Sequence, residues 1–483
     1  MLGTRPGKVW LWGVGRTDAA MSGFHIAEAG GDPQAGDAVV ALGGKRLPGQ
    51  YLDSGLYIVN RGAAAFLTMN RAALQRKLER AGVAVNHSAS GAVGSRSSWV
   101  NRRRLIVRLF ELAPLQVAVI GGLKPAVGGR ANEQLDSSDL NYRRAVKIAV
   151  RALYAAGLDC GCVEVELGER GNSRAGPIYL PDRELGGGAG EEAAMIWLTA
   201  LQRFAGDYRC SLSSERPILL GADPEFLLAS KTGKVVPASR FLQDGHGAGC
   251  DGVFIGGQVR YPVAELRPAP AETPEQLIKN IRRLLLQAAE KIDDPTLRWL
   301  AGGMPVSGFA LGGHIHISGV PFHGRLLRLL DSYVAFPLAL AEPESARRRR
   351  PRYGSLGDFR LQPYGGFEYR TPSSWLVSPL AAKAALSLAL LCACECAALS
   401  YCPAEEERYA AAYYANDRER LMECMEPLLA EMRATASWRR LAGGIEPFFK
   451  ALARGACWDE ASDFRAKWRI SGSDSDVCAA AHR

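Results

Sequence analysis

Ile218-Leu219-Leu220-Gly221-Ala222-Asp223-Pro224-Glu225-Phe226-Leu227-Leu228 (residues 218–228) is an apolar run broken by two carboxylates. It reads as a strand, and because strand side chains alternate between faces, Asp223 and Glu225 share one of them. Acids beside Leu and Phe are rarely buried unless paired or bound to metal. Pro224 has no backbone N–H, so the strand is expected at a sheet edge or at a bulge.

The arrangement recurs three times downstream. Glu265 and Arg267 share a face in Val263–Pro268, His314 and His316 in Gly312–Ile317, and Glu368 and Arg370 in Gly366–Arg370. For one strand, a polar face turned to solvent is the usual origin of such a pattern. Four in succession point to convergence on one sheet face, with Gly312-Gly313 allowing close approach to the backbone. Carboxylates outnumber imidazoles in the set, and hard oxygen donors select Mg²⁺ or Mn²⁺ over zinc. Arginines at Arg267 and Arg370 can clamp phosphate oxygens. Helices follow these strands. Thr273-Pro274-Glu275-Gln276 is a helix start with Leu277, Ile281, Leu284 and Ala288 on a buried face. Leu326–Leu340 is a helix kinked or ended near Pro337, and Ser378-Pro379 opens a long Ala/Leu helix. A sheet with functional residues on one face and helices on the other is an α+β layer.

GADPEF (221–226), GCDG (249–252) through AELRP (264–268), GGHIHI (312–317), RYGSLGDFR (352–360) and PYGGFEYRTPSSW (363–375) resemble, in that order, the motifs of phage-type carboxylate-amine ligases, the amidoligases of the glutamine synthetase and glutamate-cysteine ligase superfamily. The resemblance spans about 215–400. It implies a glutamine synthetase-like curved antiparallel sheet with packed helices, holding ATP and Mg²⁺ (or Mn²⁺) and joining a carboxylate to an amine through an acyl phosphate. Carried over by position, Glu225, Glu265, His314 and Glu368 resemble metal ligands, and His316 a ligand or substrate contact. Arg360 and Arg370 resemble the arginines that meet transferred phosphate or substrate carboxylate. Arg267, Arg352 and Arg360 are the candidates for holding ATP, and Asp223 or Asp358 for taking the amine's proton. The chemistry has a physical logic: a carboxylate oxygen leaves badly until phosphorylated, and divalent cations and arginines offset the repulsion between the anions. The substrates are then small-molecule or peptide carboxylates and amines, which no motif names. Two rival readings stay open: a zinc amide hydrolase on His314 and His316, needing His246 or His323 as a further ligand, and a scaffold that binds without turnover.

Around this region the chain divides, on its composition, into residues 1–100, a small α/β region of unknown role; 101–210, a second α/β region; and 216–483, the ligase domain with a helical C-terminal part. Val9–Trp12, Ala38–Leu42, Tyr57–Asn60, Leu105–Leu112, Leu115–Ile120 and Cys162–Leu167 read as strands, Asp139–Ala156 as a helix stopped by Gly157, and His87–Ser98 as a loop. The passage through Gly157-Leu158-Asp159 into the acidic strand resembles the end of an ATP-grasp domain. Glu164 and Glu166 there share a face that suits either Mg²⁺ or solvent, and no chemistry is assigned to them. Arg347–Arg350 with Arg352 is a basic run expected to be a solvated loop, or a lid over ATP or an acidic substrate. The Gly-rich stretch Asp244–Gly249 is a weak phosphate-cradle signal without a P-loop lysine.

Composition bounds the rest. At 47% hydrophobic and 23% charged, the 483 residues are globular, and Gly 53 with Pro 26 make about 16%, below the roughly 25–30% of low-complexity chains. A net charge of +9 suits anionic ligands without singling out nucleic acid. Eleven cysteines without a CxxC pair argue against a zinc ribbon or disulfide framework. The first twelve residues lack a signal-peptide core, so a cytoplasmic protein is expected. Ala381–Tyr401 carries Lys383 and Glu395 and reads as a buried helix rather than a membrane span.

Overall fold

Short Val/Ala/Trp runs near the start of the chain pair side by side in the computed structural model, which describes residues 7–14, 24–26, 31–52, 55–85, 103–120, 134–168, 172–188, 190–212, 216–255 and 257–470. The stretch His87–Ser98 and the tail with His482 lie outside the described residues. The chain forms two units: Met1–Glu215 with Phe322–Arg325, and Arg216–Pro321 with Leu326–Arg483.

In the first unit, β1 (Val9–Trp12), β2 (His25–Ile26), β3 (Ala38–Ala41) and β4 (Tyr57–Val59) form a parallel sheet in the order β2-β1-β3-β4. The continuous apolar runs of β1 and β3 suit a parallel sheet covered on both faces, and Leu11 and Val40 are fully buried. An antiparallel sheet follows, ordered β6-β5-β7-β8, from β5 (Arg103–Phe110), β6 (Ala113–Val119), β7 (Gly161–Leu167) and β8 (Ser173–Tyr179). The helix Leu140–Ala155 begins where the Asp139 side chain accepts from Asn141 N at 2.7 Å. It ends before Gly157, whose φ of +85° favours glycine. Glu164 on β7 is ion-paired to Arg104 at 2.8 Å and accepts from Tyr179 Oη at 2.9 Å. Its carboxylate is therefore engaged by side chains of the same sheet.

The second unit holds an eight-stranded, curled antiparallel sheet with helices packed on it. Its strands are β9 (Leu219–Ala229), β10 (Val235–Val236), β11 (Gly247–Ile255), β12 (Gln258–Arg267), β13 (Arg298–Leu300), β14 (Gly313–Ser318), β15 (Phe359–Leu361) and β16 (Phe367–Tyr369). The order is β11-β12-β9-β14-β16-β15, with β10 and β13 also on β9. β9 is thus central, so of the two placements that Pro224 suggested, an edge or a bulge, the edge is excluded. The pairing explains how the proline is tolerated: the β12 ladder on β9 covers Glu225–Leu227 and stops there, to return only as a bridge between Leu220 and Ala271. Pro224 occupies the gap, where no partner asks for an N–H.

One face of this sheet is apolar. Phe226 stacks on Trp299 with centroids 4.9 Å apart and meets Phe464 edge-on at 5.6 Å, while Ile315, Ile317, Phe367 and Tyr369 are fully buried. Each such side chain contributes about 1.5–3 kcal/mol by leaving water. The helix Pro274–Lys291 lies against β9, β11 and β12, and the helix Pro379–Cys394 against β14. Thr273 caps the first by accepting from Gln276 N at 3.3 Å, but the Gln276 side chain donates to Asn280 instead of reaching back, so the capping box is half made. Near Pro337 the helical run widens into a π turn, Asp331–Ala335, before resuming as Phe336–Ala341. Among the described residues no helix is long and apolar enough to cross a membrane.

Candidate active site

Residues directly opposite one another in an antiparallel ladder share a face, so the register itself assembles the site. Glu225 on β9 faces Glu265 on β12, Asp223 faces His314 on β14, His316 faces Glu368 on β16, and Glu368 faces Arg360 on β15. Arg267 and Arg370 follow two residues after Glu265 and Glu368 on the same side. Two glycines make room. A Cβ on Gly221, opposite His316, would lie 3.2 Å from the histidine Cβ, and one on Gly249, opposite Glu265, would lie 2.8 Å from the Arg267 guanidinium. All four alternating pairs therefore meet on the face away from the apolar core.

The groups are close. His314 Nδ1 lies 3.2 Å from Asp223 Oδ1 and 3.4 Å from Glu368 Oε1, and His316 Nε2 lies 3.3 Å from Asp223 Oδ2. Arg370 Nε and Arg360 Nη1 sit 2.9 and 3.2 Å from the two Glu368 oxygens, and Gln362 donates to Oε2 at 3.0 Å. Arg267 pairs with Glu265, lies 3.6 Å from Asp244, and donates to Gly245 O at 2.5 Å. Glu225 accepts from Gly312 N at 2.7 Å. The Gly-rich stretch 244–249 thus offers a carbonyl and a carboxylate to Arg267, and its expected role as an N–H cradle for phosphate is replaced by that of an arginine anchor.

Burial and mutual repulsion shape the charges. Burial first, then the negative charge of Asp223, pushes Glu265 up to about 8 despite Arg267. Burial raises Glu225 to about 7, with Asp251 and Asp223 adding to it against His314 and Gly312 N. For Asp223, burial acts upward but the two imidazoles outweigh it and hold its carboxyl well below the usual range. Burial acts to lower His314, yet Asp223 and Glu225 raise it to about 9. Hydrogen bonding inside the cluster is incomplete: Asp223 Oδ1, Glu265 Oε2, His314 Nδ1, His316 Nε2 and Arg370 Nε are buried without a hydrogen-bond partner of proper angle.

The unmet buried acceptors among them fit a hard cation. Asp223, His316 and Glu368 each offer a ligand atom, all within 4.8 Å of one another. Of the expected ligands, Glu225, Glu265, His314 and Glu368 all lie on this face, with Glu225 and Glu265 forming one end of the row and Glu368 the other. Asp358 precedes β15 and accepts through its backbone O from Arg370 N at 2.8 Å. Arg352 is not brought in by any described contact: it is exposed, its guanidinium 5.5 Å from the Tyr353 ring. The basic run beside it is only partly a solvated loop. Arg349, 2% exposed, donates to the carbonyls of Leu311, Thr371 and Pro372, and Arg350 is buried against Glu342 and Tyr413 O. These two are struts beneath the segment that leads from β16, so a lid built from the whole run is excluded. Of the two candidates for an extra zinc ligand, His246 is exposed and His323 packs its ring 4.7 Å from that of Tyr57.

Sequence reasoning missed Gln362, Asp251 and Tyr364, whose hydroxyl is 3.0 Å from His316 Nδ1. For Gln362 the available signal was its alternation with Arg360.

Residues 220–470, just over half of the chain, match the family model described as Phage phiEco32-like COOH.NH2 ligase-type 2. No curated protein matches. Among solved structures the chain is similar to a bifunctional glutathione synthetase from Pasteurella multocida, at 12% identity and a TM-score of 0.32 over 52% of this chain and 49% of that one. It is also similar to GmaS without ligand, at 12% identity and a TM-score of 0.30 over 58% and 78%. The chain spans about half the length of that glutathione synthetase.

Proposed function

Since the chain belongs to the Phage phiEco32-like COOH.NH2 ligase-type 2 family, we propose that it joins a carboxylate to an amine at the expense of ATP, with Mg²⁺ or Mn²⁺, through an acyl phosphate. The observation that supports this most is a row of buried and half-buried carboxylates and imidazoles rimmed by three arginines on a single sheet face. Asp223, His316 and Glu368 are the residues suited to hold a divalent cation, which when bound would offset phosphate charge. Arg360 and Arg370, the former largely exposed, can leave Glu368 to take phosphate or carboxylate oxygens. A small-molecule or peptide amine must lose a proton as it attacks. Asp223, held acidic by two imidazoles, is a poor acceptor, whereas Glu265, raised to about 8, is near the strength such a step needs. This reading exchanges the roles assigned from the motifs alone, giving the cation to Asp223 and the proton to Glu265.

Phosphate release from ATP with Mg²⁺, screened against amino acids and peptides, tests the reading. Turnover that needs both a carboxylate and an amine, and that falls at least 100-fold in Asp223→Asn and in Glu265→Gln, is expected. Amide cleavage without ATP, on a protein that retains zinc through dialysis, would replace it with the hydrolase reading.

A further inference from the structure

The hairpin that carries Glu368 also places a phenol over His316. Its turn is tight, with Gln362 N donating to Gly366 O at 2.8 Å and Gly365 N to Gln362 O at 3.1 Å. Gly366 lets the turn close onto β14, because a Cβ there would lie 2.6 Å from Ile317 O and 2.7 Å from the Tyr364 ring. Tyr364 is 61% exposed, yet its hydroxyl is turned inward, 3.0 Å from His316 Nδ1. The other nitrogen, Nε2, is buried 3.3 Å from Asp223 Oδ2 with no hydrogen-bond partner.

Resting on the ligase reading above, we infer that Tyr364 is a positioning residue that governs which nitrogen of His316 carries the proton, so that Nε2 can turn its lone pair to a cation shared with Asp223 and Glu368. A neutral imidazole has one N–H. With the proton on Nδ1, that N–H donates to the Tyr364 oxygen, the phenol's own hydrogen turns to water, and Nε2 is free to ligate. With the proton on Nε2, directed at Asp223, the phenol reverses and donates to Nδ1. Going from one state to the other takes a proton from Nε2 into solvent and returns one to Nδ1, with no net change. A hydroxyl serves both states, and its exposure supplies the water. A carboxylate in its place would favour the imidazolium, which cannot ligate.

The test uses the full chain. Tyr364→Phe keeps the ring and removes the hydroxyl. Mn²⁺ titrated by calorimetry should bind at least tenfold more weakly to the variant. ¹⁵N-histidine spectra with Mg²⁺, the His316 signal assigned through His316→Gln, should show a proton on Nδ1 in the native protein and a mixture in Tyr364→Phe. Gly366→Ala, which displaces the ring but keeps the hydroxyl, should shift both readouts the same way. Mn²⁺ binding within twofold of native in Tyr364→Phe, or an unchanged His316 spectrum, overturns the inference while leaving the ligase reading intact. A native protein that binds neither Mn²⁺ nor Mg²⁺ overturns both.

Discussion

At the residue scale, burial first and neighbouring carboxylates second hold two acids of the site in their protonated form. Glu225 near 7 and Glu265 near 8 keep protons that isolated carboxyls would have lost. A cation arriving beside them should expel those protons. Mn²⁺ binding at pH 7, followed by calorimetry in buffers of different ionisation enthalpy, should therefore release about one proton or more, and affinity should rise between pH 6 and pH 8. Binding that is flat over that range would mean that these two acids do not feel the cation. The alternating pairs were legible in the chain because strand periodicity alone fixes who shares a face. Tyr364 was not, because its position depends on two turn hydrogen bonds and a missing Cβ. A quieter residue makes a stability prediction. Gly302 has φ +121°, and a Cβ on it would fall 2.4 Å from the Glu460 carboxylate, which accepts from Gly303 N and Met304 N. Gly302→Ala should cost about 3 kcal/mol in urea unfolding.

At the scale of elements, the strands and helices followed from local pattern, and their neighbours did not. That Glu225 would face Glu265 is a matter of register between strands some forty residues apart, which no local window holds. Pro224 argued for an edge or a bulge because the usual cost of a proline is a lost ladder bond; the gap in the β12 ladder removes that cost within a central strand. The basic run misled in a related way, since charge density says exposure while Arg349 and Arg350 find carbonyls and Glu342 inside. The Glu342–Arg350 pair, with Ser373 Oγ donating to Glu342 at 2.6 Å, is buried. Removing one partner leaves the other charge stranded. Arg350→Met alone should cost about 3–5 kcal/mol, and Arg350→Met with Glu342→Leu should cost clearly less. An additive double variant would show that the pair is not coupled.

At the scale of the whole chain, one buried histidine links stability to acid. His323, grouped with the first unit, is pushed down to about 3 by burial and then by the charge of Arg325. The unfolded imidazole takes its proton near 6.5, so its contribution is intact above that value. It is lost as pH falls from about 6.5 toward 3, at up to ~1.4 kcal/mol per pH unit. Between pH 6.5 and 5, native protein should lose about 1–2 kcal/mol more than His323→Asn in urea unfolding. Equal losses would show that His323 takes up its proton as readily folded as unfolded. Comparing variant with native isolates this group from the carboxylates that titrate alongside it.

Glu368 is 1% exposed, and Arg360, Gln362, Arg370 and His314 already occupy its two oxygens. A cation seeking that carboxylate competes with two guanidinium groups, and an incoming phosphate that draws them away clears the path. On the ligase reading proposed above, a single side chain would make metal and nucleotide partners. Each should tighten the other by the same factor, so that a lone cation or a lone triphosphate binds feebly and the pair binds well, and idle hydrolysis is discouraged before either co-substrate has arrived.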